Sequence, residues 1–261
     1  MIRLVFLLRR KEGMTLEEFQ DYWLNQHAPL VASVSTDLNI LRYVQTHTID
    51  HPINKAAQNA RGGNMEPQYD GVAELWWATE SDLESALASE VGQAAGAKLL
   101  ADERTFIDLE ASPLWLAYEY PQVNPTPENI SARVNGNILR VFFPLRHLDS
   151  LNETDVRKYW LTHHGPIVRA GAPAAGILCY RQVHRADSHI NEVLRTSRGT
   201  VTPDYLGHAE VWTDQSRTTQ TTEAKNANQS FLKDEFNFID MERSAIWVGK
   251  EHTIIDKRLG F

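Results

Sequence analysis

Apolar positions along the chain follow two periods, a strand-like one and a helix-like one, in an order that is written twice. Residues 2–8 form an apolar run closed by Arg9 and Arg10, the pattern of a largely buried strand. Thr15 and Glu18 then make the T-x-x-E pattern of a capping box. Phe19, Trp23, His27 and Leu30 follow at spacings of four, four and three, one stripe of a 3.6-residue helix. Residues 41–47 alternate, with Leu41, Tyr43, Gln45 and His47 on one face and Arg42, Val44 and Thr46 on the other. Residues 69–78 predict a third strand, Thr79 and Asp82 open a second helix, and residues 114–120 predict a last strand. Between these last two elements, residues 94–109 carry no clear period.

The order strand, helix, strand, strand, helix, strand is the ferredoxin-like split βαββαβ unit. It returns 137 residues later (160 − 23): Trp23, His27 and Pro29 recur as Trp160, His164 and Pro166, and Tyr43, Gln45 and His47 as Tyr180, Gln182 and His184. Nearer the end of each copy the offset is 132, carrying Phe106 to Phe238 and Trp115 to Trp247. An internal repeat of this kind fixes the domain organisation before smaller features are read. Residues 1–120 are the first unit, residues 121–136 a proline-bearing linker, residues 137–250 the second unit, and residues 251–261 a tail without a counterpart. One such unit leaves a sheet face uncovered by its own helices. The fold class expected is therefore α+β, two ferredoxin-like units whose sheets face each other in a pseudo-dimeric α+β barrel, either within a monomer or in a homodimer of such chains.

Composition narrows the partners. A formal charge of −8 with interspersed charges argues against nucleic acid and against an anionic membrane surface. The single cysteine, Cys179, excludes an intrachain disulfide and a thiolate metal cluster. The N-terminal apolar run is too short for a signal peptide, and no run reaches the length of a membrane span, so a cytoplasmic protein is expected. Without a secretory route the Asn129-Ile130-Ser131 sequon means little. Phosphate loops, dinucleotide glycine motifs and serine-hydrolase elbows are missing from the sequence.

Three segments of the first half, the W-x-x-x-H-x-P helix at residues 23–29, R-Y-V-Q-T-H at 42–47 and Y-D-G-V-A-E-L-W-W at 69–77, together resemble the EthD family of the dimeric α+β barrel superfamily. The second half, with K-Y-W-L-T-H-H-G-P-I-V, Y-R-Q-V-H and Y-L-G-H-A-E-V-W, resembles it more loosely. The resemblance implies the ferredoxin-like fold and an apolar pocket between each sheet and its helices. Members of the family are linked to degradation pathways and to fungal polyketide tailoring by dehydratases and decarboxylases. Fold alone does not choose among such reactions.

The helix histidines His27 and His164 and the strand histidines His47 and His184 are candidate acids and bases for these pockets. A competing reading is a core histidine bonded to a backbone carbonyl. Tyr43 and Tyr180, on the same strand faces, are candidate donors to a developing oxyanion. Trp23 and Trp160 are candidate substrate walls. Glu74 and Glu210, mid-strand among apolar neighbours, are either general acids or bases with raised pKa or partners of an arginine such as Arg9 or Arg42. Arg9 and Arg146, at strand ends, are candidates for a substrate carboxylate. No metal site is expected. The reading reached is a cofactor-independent lyase or isomerase of catabolism, working by dehydration, decarboxylation or cyclisation on a small hydrophobic aromatic or polycyclic carbonyl compound, with residues 50–68 as a lid. The alternatives are a ligand carrier or accessory protein of a degradation pathway, and a haem protein using one histidine as axial ligand.

Overall fold

The computed structural model describes residues 1–126, 130–216 and 221–259. Asn129 of the sequon lies outside the described residues, as do the last two residues of the expected tail. The first half comprises strands β1 (Ile2–Leu8), β2 (Arg42–Thr48), β3 (Gly71–Trp77) and β4 (Leu114–Val123). Its helices are α1 (Leu16–Tyr22), α2 (Ala28–Ser33), α3 (Pro52–Ala60), α4 (Glu80–Ala88) and α5 (Glu90–Phe106). The second half follows with strands β5 (Ile138–His147), β6 (Ile177–Arg185), β7 (Gly207–Asp214), the short β8 (Ile239–Asp240) and β9 (Trp247–Asp256). Its helices are α6 (Glu153–Tyr159), α7 (Gly165–Ala175), α8 (Ile190–Arg198) and α9 (Thr222–Glu235).

Among the described residues, strands other than β8 close into one ring, β1-β3-β2-β9-β5-β7-β6-β4, with antiparallel neighbours throughout. Closure removes every free sheet edge from the ring. Each half contributes four strands, and the two seams are reciprocal: β2 pairs with β9, and β6 pairs with β4. This makes a two-unit α+β barrel.

The seams correct the expected boundaries. Pro121 and Val123, read as linker, are the end of β4 and pair with Arg181 and Tyr180. Residues 251–256, read as a tail, are the outer part of β9 and pair with β2 from Thr46 to Arg42. A closing strand must reach past its own β1 or β5 partner to the neighbouring half, and the extra length is what the seam requires.

Period-2 alternation sorts side chains between the barrel interior and the outer, helix-covered face. Leu4, Phe6 and Leu8 of β1 pack outward with Phe19 and Phe106, whereas Val5 and Leu7 pack inward with Trp115, Phe142 and Trp247. With both faces covered, all of β1 is buried, which explains its unbroken apolar run. Residues 94–109, without a clear period in the sequence, belong mostly to α5, where Gly92 and Gly96 thin the apolar stripe.

Between α1 and α2, residues Trp23–His27 form a single π-turn, and Trp160–His164 do the same between α6 and α7. Pro29 and Pro166 lack the N–H that would bond four residues back, and the helix widens there. The Trp23 carbonyl takes the Ala28 N–H and also a side-chain N–H from Gln45. Gly71 in β3 leaves room for the tryptophan: a Cβ there would lie 2.4 Å from Trp23 Cζ3.

Candidate functional site

Each half holds a cavity between its sheet and its helices, about 340 Å³ in the first half and about 410 Å³ in the second. The first is walled by apolar side chains together with Trp23, His27 and Tyr43, the second by Trp160, His164 and Tyr180 in the same places. This is the size and apolar character of a small-molecule site.

In the first cavity the π-turn presents His27, whose Nδ1 lies 2.7 Å from Asp102 Oδ2 on α5. The other oxygen of Asp102 accepts the Tyr22 hydroxyl at 2.8 Å. A carboxylate at Nδ1 holds the proton there and leaves Nε2 as the basic nitrogen. Among the described residues the hydrogen bond recorded for the His27 ring is this one, through Nδ1. The second half repeats the arrangement, with His164 Nδ1 at 2.7 Å from Asp234 and the Tyr159 hydroxyl at 2.6 Å from the same carboxylate. The histidine is bonded to a side-chain carboxylate, not to a backbone carbonyl.

Tyr43 is set as a donor. Its hydroxyl oxygen accepts from Trp23 Nε1 at 3.0 Å and from Gln45 Nε2 at 2.9 Å, so both lone pairs are occupied. Its own hydrogen is then left for an acceptor in the cavity. Burial raises the phenol pKa, outweighing the two bonds that lower it, so the proton stays on oxygen. Tyr180 receives the same two bonds from Trp160 and Gln182, each at 3.2 Å.

The strand histidines do not share the cavities. His47 stacks flat on Trp23 with ring centroids 4.7 Å apart, and its Nε2 meets Gln45 Oε1 at 2.9 Å. Burial, and then the neighbouring His252, lower its pKa to about 3, so near neutral pH it is a neutral donor. Donation to Oε1 fixes the Gln45 amide so that its nitrogen faces Tyr43 and the Trp23 carbonyl. His184 does the same for Gln182, and burial followed by Arg157 lowers it to about 3. Alternation puts His47 on the same strand face as Tyr43, but two strand positions beyond Gln45 it lies under the tryptophan ring rather than at the cavity.

Glu74 and Glu210 lie inside the barrel. Glu74 pairs with Arg3 at 2.7 Å and Arg140 at 2.7 Å, and Glu210 with Arg3 at 2.9 Å and Arg140 at 2.8 Å. The expected arginine partners, Arg9 and Arg42, are not the ones used. Burial raises Glu74 against the pull of Arg140, whereas for Glu210 the arginines outweigh burial and hold it low. Glu74, His208 and Glu210 bring ligand atoms within 4.8 Å of one another, but two guanidinium groups already occupy both carboxylates. A cation there would face two fixed positive charges.

Arg9 and Arg146 are also committed elsewhere. Arg9 donates to the carbonyls of Pro67 and Gln68 and lies 4.1 Å over the Tyr69 ring. Arg146 pairs with Glu66, donates to three carbonyls and lies 3.9 Å over Tyr205. Neither lines either of these two cavities.

Residues 50–68 contain α3, and α3 caps the cavity of the other half. Ile53, Ala57 and Arg61 line the second cavity, and their repeats Ile190, Leu194 and Arg198 in α8 bear on the first half, Leu194 and Arg198 at its cavity. Arg61 pairs with Glu235 at 2.8 Å and Arg198 with Glu103 at 2.9 Å. Each cavity is thus completed by a helix from the opposite repeat. Asp102, Glu103, Arg198 and their counterparts were not among the sequence candidates. Their signal was present: Asp102 and Glu103 recur as Asp234 and Glu235 at the 132-residue offset, and Arg61 as Arg198 at 137.

The EthD domain profile matches residues 11–110 and 148–242, one segment in each half. The chain belongs to the EthD family. An EthD family protein from Bacillus halodurans is 19% identical and covers 46% of this chain and 99% of its own, with a TM-score of 0.33. A candidate monooxygenase from Fusobacterium nucleatum covers 97% of this chain and 93% of its own at 6% identity and a TM-score of 0.52, a likeness of fold alone. A chlorite dismutase variant from Candidatus Nitrospira defluvii is 10% identical and covers 95% of this chain and 91% of its own, with a TM-score of 0.43. No curated protein matches the chain. Among the described residues, no helix of this EthD protein is long and apolar enough to cross a membrane.

Proposed function

We propose that this tandem EthD protein is a cofactor-independent lyase or isomerase acting on a small hydrophobic carbonyl compound with an aromatic or polycyclic skeleton. One observation carries the reading. A carboxylate-backed histidine and a tyrosine with both lone pairs filled line the same apolar cavity, and the pair occurs in both halves. His27 Nε2 takes a proton from the carbon next to the carbonyl, and the electron pair left behind moves onto the carbonyl oxygen. The Tyr43 hydroxyl donates to that oxygen as its charge grows. The imidazolium, stabilised by Asp102, then returns the proton to a different carbon in an isomerisation, or to a departing hydroxyl in a dehydration. His47 acts through Gln45 as a positioning residue. His164, Tyr180 and Asp234 take the corresponding roles in the second cavity.

Enolisation is the step these reactions share, and it is tested without the natural substrate. In D2O, proton NMR follows loss of the C2 proton signal of 1-tetralone. The wild type accelerates exchange, and the double variant His27→Ala/His164→Ala loses about 10²–10⁴ of that acceleration, the usual contribution of a general base. Equal exchange by wild type and double variant sinks the proposal. Tight binding without any exchange by the wild type returns the protein to the carrier reading.

A further inference from the structure

The two cavities end differently along the strands that floor them. In the first, Ala73, Leu75 and Trp77 make one row on the outer face of β3, and Ala209, Val211 and Thr213 repeat it on β7 at an offset of 136 (213 − 77). Trp77, only 4% exposed, closes the row: its indole Nε1 donates to the Leu38 carbonyl at 2.7 Å, which pins the ring across the end of the cavity. Leu83 and Leu87 of α4 line the same cavity. At the corresponding end of the second cavity stand Thr213 and Ala175. The repeat is four residues shorter beyond this point (136 − 132), and among the described residues no helix stands between β7 and α9. Ile40 is fully buried, whereas its counterpart Ile177 is half-buried. The backbone does not cause the difference, since both halves turn here through a left-handed residue, Asn39 at φ 54° and Gly176 at φ 71°. Nor does Phe231, which replaces Leu99, refill the space: it lies against α7, where a Cβ on Gly171 would come within 2.6 Å of its ring.

We infer that the second cavity takes a ring system one fused ring longer than the first admits, a linear tricyclic ketone against a bicyclic one. The inference rests on the reading of both cavities as ketone sites, and it adds the length of the substrate in each. Thr213 stands two residues beyond Val211, about 7 Å along the strand, room enough for one further ring. A close-packed wall does not yield to a ring that meets it end-on, so Trp77 acts by exclusion rather than by attraction. Trp77 and Leu38 are the specificity-determining residues of the first cavity, and Thr213 and Ala175 those of the second. The larger volume of the second cavity, about 410 Å³ against about 340 Å³, has the sign this requires.

Isothermal titration calorimetry with 1-tetralone and with 3,4-dihydroanthracen-1(2H)-one, the same ketone lengthened by one fused ring, tests this by counting sites. The wild type binds two equivalents of tetralone and one of the tricyclic ketone. Trp77→Thr/Leu38→Ala opens the first cavity and raises the tricyclic count to two. Thr213→Trp gives the second cavity the end that the first one has and lowers the tricyclic count to none, while tetralone still binds. This second variant adds bulk at a half-buried position instead of hollowing a core, so it decides the matter even if the first fails to fold, and a circular dichroism melt shows which variants are folded. Two equivalents of the tricyclic ketone on the wild type, or none, overturn the inference. So does one equivalent that persists in Thr213→Trp. Site counts need no turnover, so any of these outcomes with tetralone exchange intact refutes the length reading alone. The expected counts with exchange equal in the wild type and in His27→Ala/His164→Ala refute the acid–base reading alone, and tetralone that binds neither cavity refutes both.

Discussion

Replacing Arg140 with methionine separates the barrel interior from the chemistry. Arg140 is buried and pairs with Glu74 at 2.7 Å, Glu210 at 2.8 Å and Glu251 at 2.9 Å. Without it, Glu74 and Glu210, both fully buried, share one remaining guanidinium, that of Arg3. Glu251 keeps donors from the Ala132 backbone and from Trp212 Nε1. The excess is thus one buried carboxylate, and breaking such a pair costs about 3–5 kcal/mol. For a chain of this length each kcal/mol moves Tm by about 2–4 °C, so Arg140→Met melts about 6–20 °C lower. The pH dependence follows from the same groups. Arg140 is the largest attraction on both carboxylates, so its loss moves both upward. A carboxyl raised in the folded state binds its proton there first, and stability then increases as pH falls through the raised value towards the unfolded one. The deficit at pH 8 therefore narrows by pH 5. Arg140→Met/Glu210→Gln leaves one arginine facing one carboxylate and regains most of the loss at pH 8. Circular dichroism melts at the two pH values measure this, with tetralone exchange at 20 °C as the control for the cavities. A deficit that is independent of pH and unmoved by the second substitution would refute the charge argument.

Three further outcomes are expected. Tyr43→Phe/Tyr180→Phe removes the oxyanion donor from both cavities and lowers the exchange rate about 10²–10³-fold, with little change in the affinity for tetralone. His47→Ala/His184→Ala lowers exchange by less than His27→Ala/His164→Ala, and the pH–rate profile above pH 5 keeps its inflections, because rings with pKa about 3 do not titrate there. On acidification the wild type loses stability: His47 and His184, lowered to about 3, and His208, lowered to about 4 by burial, stay neutral when folded and gain protons on unfolding below the ordinary histidine pKa. Raised Glu74 opposes them with one proton, so calorimetry in two buffers of different ionisation enthalpy near pH 5 should find a net uptake of about two protons on unfolding.

The two periods in the apolar pattern and the recurrence of the same residues at offsets of 137 and 132 were enough to give the fold and the π-turn residues at each cavity. Trp23, His27 and Tyr43 were legible because a polar residue on an otherwise apolar stripe stands out. What periodicity cannot supply is which strands meet across a seam. That is why residues 121–123 and 251–256 read as linker and tail, and why the partners of Glu74 were sought in Arg9 and Arg42 rather than in Arg3 and Arg140. His47 misled for a related reason: alternation gives the face of a strand but not how far a helix side chain covers it, and Trp23 covers this one. Asp102 was missed because its helix shows little amphipathic contrast, although the repeat alone marks it.

Fusion of the two units changes what the cavities are free to become. In a symmetric homodimer a substitution in one cavity appears in both, and a cap and the pocket beneath it on the other subunit are encoded once. Here α8 caps the first cavity and α3 the second, so the four parts vary independently. They have done so. Where the first cavity has Gly96, Ala97 and Trp77, the second has Asn228, Gln229 and Thr213, at offsets of 132 and 136. Leu99 is replaced by Phe231, whereas the arginine–glutamate pair at each cavity is kept, Arg198 with Glu103 and Arg61 with Glu235. The acid–base parts, in contrast, keep their identities and nearly their distances: Nδ1 to carboxylate is 2.7 Å in both halves. Shared chemistry with divergent walls is the pattern of one reaction type presented to two ligands. The single-half variants His27→Ala and His164→Ala should then lose exchange unequally, in a ratio that shifts when 1-tetralone is replaced by a more polar ketone.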